Sequence, residues 1–168
     1  MIRYYLLLLI FGVSFNPLMA AGRHTPVIAG SSGPVSFTSD ITILANPVIN
    51  VPTVADYRSG VTITHSTLKI SGTADLLYTL QVRASGNFMS GANSIPTSQI
   101  GITTLTTGLI TQGERRLSTA YQSLCTYLPS TLNPTLVVNF QYKLYSDSVL
   151  LKPAGSYTTT LTFLLTLL

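Results

Sequence analysis

Two histidines, His24 and His65, one cysteine, Cys125, and five acids, Asp40, Asp56, Asp75, Glu114 and Asp147, are the residues from which a catalytic or metal centre would have to be built in this chain. A structural zinc site needs four such ligands at short spacings, and a catalytic one needs three. The histidines are 41 positions apart, and the single cysteine makes no paired-cysteine signature. Hydrolysis by two carboxylates needs a converging acid pair. Here the acids fall mostly in or beside expected turns, and Asp75 and Asp147 precede strands, where Asx side chains cap turns. Cys125 with a distant histidine is a nominal nucleophile–base pair. Its flanks, Ser123-Leu124-Cys125-Thr126-Tyr127, match no local nucleophile signature. The favoured reading is a buried thiol, because free cysteine packs as a small hydrophobe. His65 reads as a solvent-facing or bulge residue of a strand. No nucleophile elbow, phosphate loop, dinucleotide fingerprint or calcium loop occurs. The expected function is therefore non-enzymatic, with no cofactor.

Charge supports the same direction. Only 8% of the 168 residues are charged, and the formal net charge is +4. The basic residues are scattered, with Arg115-Arg116 the one adjacent pair. A nucleic-acid binder clusters its bases on one face, so no nucleic-acid partner is expected. The surface must be dominated by Thr, Ser, Asn and Gln, which repel one another little. Such a surface suits a subunit that packs against copies of itself.

Residues 1–21 read as an export signal. Arg3 gives a weakly positive start, residues 4–13 form an apolar run too short to span a bilayer, and Ala20 and Ala21 offer a cleavage site. An uncleaved anchor is the competing reading. With one cysteine no intrachain disulfide is possible. Residues 22–34, rich in Gly, Ser and Pro, read as a flexible arm unless a partner orders them.

The remaining 35–168 read as one domain built from strands. Leu136, Val138, Phe140, Tyr142 and Leu144 share one parity, with Asn139, Gln141 and Lys143 between them. Tyr157, Thr159, Leu161, Phe163, Leu165 and Leu167 share another, against a threonine-rich opposite row. Leu76, Tyr78, Leu80, Val82 and Ala84 give a third alternating run, and Val35, Phe37, Ile41 and Ile43 a fourth. Pro47 and Pro52 restrict the short apolar stretch between them to an edge strand or linker. Residues 61–70 change phase, which a bulge near His65-Ser66 would reconcile. Residues 86–98 read as a long loop and 100–106 as a short strand. Residues 117–128 mix helical apolar spacing with strand-forming residues and read as an irregular strand. Turn signals every ~8–12 residues predict an all-β, immunoglobulin-like antiparallel β-sandwich of about seven or eight strands.

Two stretches also carry a family resemblance. Lys152-Pro153-Ala154-Gly155-Ser156-Tyr157, followed by Thr158 to Phe163, resembles the ending of exported bacterial surface domains. These are the spore coat protein U-like, chaperone–usher pilin-like and WxL families, in which a Pro-x-Gly-x-Tyr turn leads into a final alternating strand. Leu80-Gln81-Val82-Arg83-Ala84-Ser85-Gly86-Asn87-Phe88 resembles their central strand and following loop. The resemblance covers the C-terminal half. It implies a cell-surface sandwich that polymerises when one subunit's N-terminal segment adds a strand to its neighbour. It also implies a periplasmic chaperone or outer-membrane assembly factor as a further partner. The chain departs from many pilins in lacking paired cysteines and in ending Leu167-Leu168.

Strand addition also follows from elementary chemistry, because an exposed sheet edge offers unpaired N–H and C=O groups. Val35, Phe37, Ile41 and Ile43, within residues 35–50, are the donor-strand candidates. The same segment can instead pair within its own domain. Leu136, Val138, Phe140, Tyr142, Leu161, Phe163 and Leu165 are the candidate core or acceptor-groove residues. The expected function is a structural subunit of an extracellular filament or surface coat. The alternatives are a secreted adhesin or ligand-binding sandwich, with residues 86–98 as its recognition loop, and a small outer-membrane β-barrel.

Overall fold

A computed structural model describes residues 9–14, 39–51, 53–146, 152–153 and 155–168. Residues 22–34, His24, Val35, Phe37 and Asp147 lie outside the described residues, as does most of 1–21. The chain is all-β and forms two sheets packed face to face. One sheet holds β2 (Ser39–Ile43), β4 (Val61–Gly72), β8 (Ile100–Thr104), β10 (Arg115–Arg116) and β12 (Thr135–Leu144), in the order β10-β8-β12-β4-β2. The other holds β1 (Leu9–Ser14), β3 (Val48–Val51), β5 (Tyr78–Ala84), β9 (Ile110–Thr111), β11 (Gln122–Tyr127) and β13 (Gly155–Leu167), in the order β3-β1-β13-β5-β11-β9. A hairpin of β6 (Phe88–Ser90) and β7 (Asn93–Ile95) joins this sheet through β6 and β13. The described residues hold thirteen strands, more than the expected seven or eight, and four of them, β6, β7, β9 and β10, are only two or three residues long. The two sheets face each other as a sandwich rather than closing into the ring that a membrane barrel requires.

Alternation explains the packing. On β12, Val138, Phe140, Tyr142 and Leu144 are buried and the residues between them are half-buried or exposed. On β13, Tyr157, Thr159, Leu161 and Phe163 are buried. The two rows meet across the sandwich, where the rings of Phe140 and Phe163 stack with centroids 5.6 Å apart. The inward row of β13 fades toward its end: Leu165 is half-buried and Leu167 is 48% exposed.

The phase change in β4 is a bulge. Val138 faces Leu68 but Asn139 faces Ser66, so Thr67 is the extra residue. It sits one position beyond the expected His65-Ser66 and is fully buried. β11 is irregular as expected, with a slip between Ser123 and Cys125 that buries both Leu124 and Cys125.

Two local elements differ from the sequence reading. Residues 86–98 are a hairpin followed by a 3-10 turn at Thr97–Gln99, not an open loop. Phe88 pairs with Ile95, and both are buried, which draws this Gly-rich stretch onto the core. A one-and-a-half-turn helix, α1 (Val54–Ser59), separates β3 from β4. Thr53 caps it: its Oγ1 accepts from the Asp56 N–H at 3.1 Å, and Asp56 Oδ2 accepts from the Thr53 N–H at 3.2 Å.

Candidate assembly interface

Among the described residues no group of three or more His, Cys, Asp or Glu side chains is placed to hold a metal. Burial pushes the Cys125 thiol up to about 11, which disfavours the thiolate that a nucleophile needs. His65 Nδ1 lies 3.2 Å from Thr67 Oγ1, which lies 2.8 Å from the Tyr142 hydroxyl. This chain of polar groups gives the bulged Thr67 hydroxyl partners inside the core. Burial raises the Tyr142 phenol above its usual range, and the Thr67 hydroxyl draws it partly back. Cations gather on Tyr145, with the Arg116 guanidinium 3.1 Å and the Lys143 ammonium 4.4 Å from its ring centroid, and its hydroxyl donates to Glu114. This cluster sets two cations and one carboxylate around a single ring.

The sheet edges hold more. Of the four strands that end the two sheet orders, three are short: β9 and β10 have two residues each and β3 has four. Short edges offer little to an incoming strand. The fourth, β2, has five residues and runs along β4, with Ile41 opposite Ile70 and Ile43 opposite Leu68. The structure thus places the donor candidates Ile41 and Ile43 in an intrachain strand, half-buried against the core, while Val35 and Phe37 lie outside the described residues.

The acceptor candidates divide by sheet. Leu136, Val138, Phe140 and Tyr142 lie on β12, which is paired on both sides, by β4 and β8. Phe140 and Tyr142 are paired on both sides, whereas Leu136 and Val138 have a strand partner on the β4 side only. Leu161, Phe163 and Leu165 lie on β13. Leu161–Leu167 pair with β5.

The earlier part of β13, from Gly155 to Thr160, is flanked by β1. Leu9–Ser14 runs parallel to β13 from Gly155 to Thr160, and antiparallel to β3 from Val51 to Val48. It is the one parallel pairing among the described strands. The register sets Leu9, Phe11 and Val13 opposite Gly155, Tyr157 and Thr159, and sets Leu9 and Phe11 opposite Val51 and Ile49. Tyr157, Thr159, Val51 and Ile49 are all buried. Beneath this seam lies a small apolar cavity lined by Ile49, Phe88, Ile100, Leu117, Tyr142 and Leu161. The turn into β13 is fixed by Tyr157, whose hydroxyl donates to the Pro153 carbonyl at 2.9 Å.

Sequence reasoning did not place Leu9–Ser14 in the fold. The signal was present as the odd row Leu9, Phe11 and Val13, but Ile10 on the other row blurs the alternation into a continuous apolar run. No protein-family model matches the chain, and no curated protein matches it either.

Proposed function

We propose that this protein is an exported, non-enzymatic structural subunit of an extracellular filament or surface coat, assembled by strand addition between copies. The observation that carries the reading is the seam between β3 and β13. There a sheet of otherwise antiparallel pairings takes in a strand from far along the chain, parallel to β13 and with ladder partners on both sides. A fold that accepts one such strand offers the same hydrogen-bonding groups to another. The composition is consistent with assembly: sparse charge lowers repulsion between copies. Apolar side chains also stand exposed on and just beyond the flanking strands, at Val48, Leu167 and Leu168.

The test is negative-stain electron microscopy and sedimentation of the protein recovered from outside an expressing bacterium. Fibres, sheets or a ladder of oligomers are expected. A chain that stays strictly monomeric at millimolar concentration, with no polymer on any surface, overturns the reading.

A further inference from the structure

We propose that the outer face of β10, β8 and β12 binds an acidic glycan. Its carboxylate sits between Arg116 and Lys143, and the neutral sugar beside it lies on the hydroxyls and amide of the next row of the sheet. This site is separate from the strand seam and stands whether or not the chain assembles.

Pairing builds the site. Arg116 and Lys143 are 27 positions apart, yet both are cross-strand partners of Gly101, Arg116 from β10 and Lys143 from β12. Their neighbours Ile102, Tyr142 and Leu144 are buried, so this row faces away from the core. Gly101 contributes no side chain, and Tyr145 and Glu114 take up the room. A Cβ there would stand 3.1 Å from the Tyr145 ring and 3.0 Å from the Glu114 carboxyl carbon. The ring therefore lies over Gly101, with a cation from each neighbouring strand against it. The two charges are no further apart than the sum of their distances to the ring centroid, 3.1 and 4.4 Å.

Cations held this close repel each other. One carboxylate stands with them, and it accepts the Tyr145 hydroxyl, so one positive charge is in excess. Arg116 donates one Nη to the Ser98 carbonyl at 2.9 Å, which leaves further guanidinium N–H groups for a ligand. The ring offsets the repulsion and fixes two long side chains before any ligand arrives. Ordering them in advance removes a cost that binding would otherwise meet. A planar carboxylate fits the pair: it accepts two parallel bonds from the guanidinium and meets the ammonium as a point charge.

The surroundings define the rest of the ligand. The next row across the sheet, about 7 Å along the strands, is Thr103, Gln141 and Thr64. Thr64 is exposed, and Thr103 and Gln141 are half-buried. These groups donate and accept hydrogen bonds without charge, as sugar hydroxyls do. A nucleic acid needs cations along its whole track and open ring faces for its bases. Here the excess charge stands at one corner, and the Arg116 guanidinium already lies over the ring.

The test is isothermal titration calorimetry of the full chain at low salt with a hyaluronan hexasaccharide, which alternates uronic acids with neutral sugars. Binding that weakens as salt is added is expected. Arg116→Gln and Lys143→Gln should each weaken it about tenfold or more, Lys143→Arg should retain it, and Gln141→Ala should weaken it several-fold. Lys69→Gln, a change of the exposed cation at the far end of β4, should leave it unchanged. Glu114→Gln removes the one carboxylate and should tighten binding about threefold, a gain that misfolding cannot mimic. Absence of binding overturns the proposal, as does equal binding of neutral dextran or of single-stranded oligothymidylate. Full binding by the Arg116→Gln/Lys143→Gln double variant, a loss in Lys69→Gln as large as in Lys143→Gln, or weaker binding by Glu114→Gln overturns it too.

Discussion

The hydroxyls of Thr67 and Tyr142 lie 2.8 Å apart inside the sandwich, and each is a hydrogen-bond partner of the other. Thr67 is the bulged residue of β4, so its side chain turns into the core out of phase with its strand. Tyr142 is 2% exposed and has its phenol at that depth. If Tyr142 donates to Thr67, the Thr67 proton is left for His65 Nδ1, at 3.2 Å. Thr67→Val removes the phenol's partner and should cost about 1–3 kcal/mol, the range for stranding a buried polar group. Tyr142→Phe leaves Thr67 with His65 and should cost less, about 1 kcal/mol. The double variant should be less destabilised than the sum by about 1 kcal/mol, read by urea unfolding at constant m-value. Strict additivity would show that the two hydroxyls do not depend on each other.

Phe140 and Phe163 join the two sheets through one stacked contact, with rings inclined by 22°. Phe140→Ala opens a fully buried site and should cost about 3–5 kcal/mol. Phe163 is 8% exposed at the thinning end of β13, so its truncation should cost less than that of Phe140. A double-mutant cycle should return a coupling of about 0.5–1.5 kcal/mol. Zero coupling would mean that each ring is held by its own sheet alone.

Gly60 and Gly108 separate two reasons for glycine. Both have positive φ, +79° and +83°. A Cβ on Gly108 meets nothing within 4 Å, so Gly108→Ala should cost only the backbone strain, about 1–2 kcal/mol. A Cβ on Gly60 would press into the Leu144 carbonyl at the end of β12. Gly60→Ala should therefore be clearly worse than Gly108→Ala in thermal unfolding, with the melting temperatures reversed only if the α1–β4 junction can move away from β12.

What could be read from the sequence was the part in which a residue's neighbours two positions away fixed its face. The β12 row from Leu136 to Leu144 and the β13 row through Phe163 needed nothing beyond parity. Phe88 and Ile95 were missed because neither belongs to an alternating run among the surrounding glycine, serine and asparagine, and their pairing across a hairpin sets them against the core. Thr67 was displaced by one position because the phase change says that a residue is extra, not which one. The candidate site was legible as chemistry, namely an edge in need of a strand, but not as a place. Leu9–Ser14 reads as an export signal by its apolarity, and pairing with residues nearly 150 positions away leaves no local trace.

Cys125 supplies a prediction that depends on pH. Its thiol is fully buried on β11. Desolvation raises it from 9.0 to about 11. A thiol whose folded value lies above its unfolded value binds its proton more tightly in the native state. The stability this represents is whole below pH 9 and drains as pH rises toward 11. Over that window it should fall by at most about 1.4 kcal/mol per pH unit. Tyr142, raised by burial, adds to the loss above pH 10 and extends it beyond the thiol's window. Cys125→Ala should flatten the fall between pH 9 and 10 while leaving the later, tyrosine-driven part in place. Tyr142→Phe should do the converse. Urea unfolding at half-unit steps of pH distinguishes the two. A thiol-reactive probe gives the independent check: with Cys125 protonated and enclosed, labelling at pH 8 should proceed no faster than the β5–β11 pairing opens. Labelling at the rate of a free thiol would place Cys125 at the surface and remove the basis for the pH window.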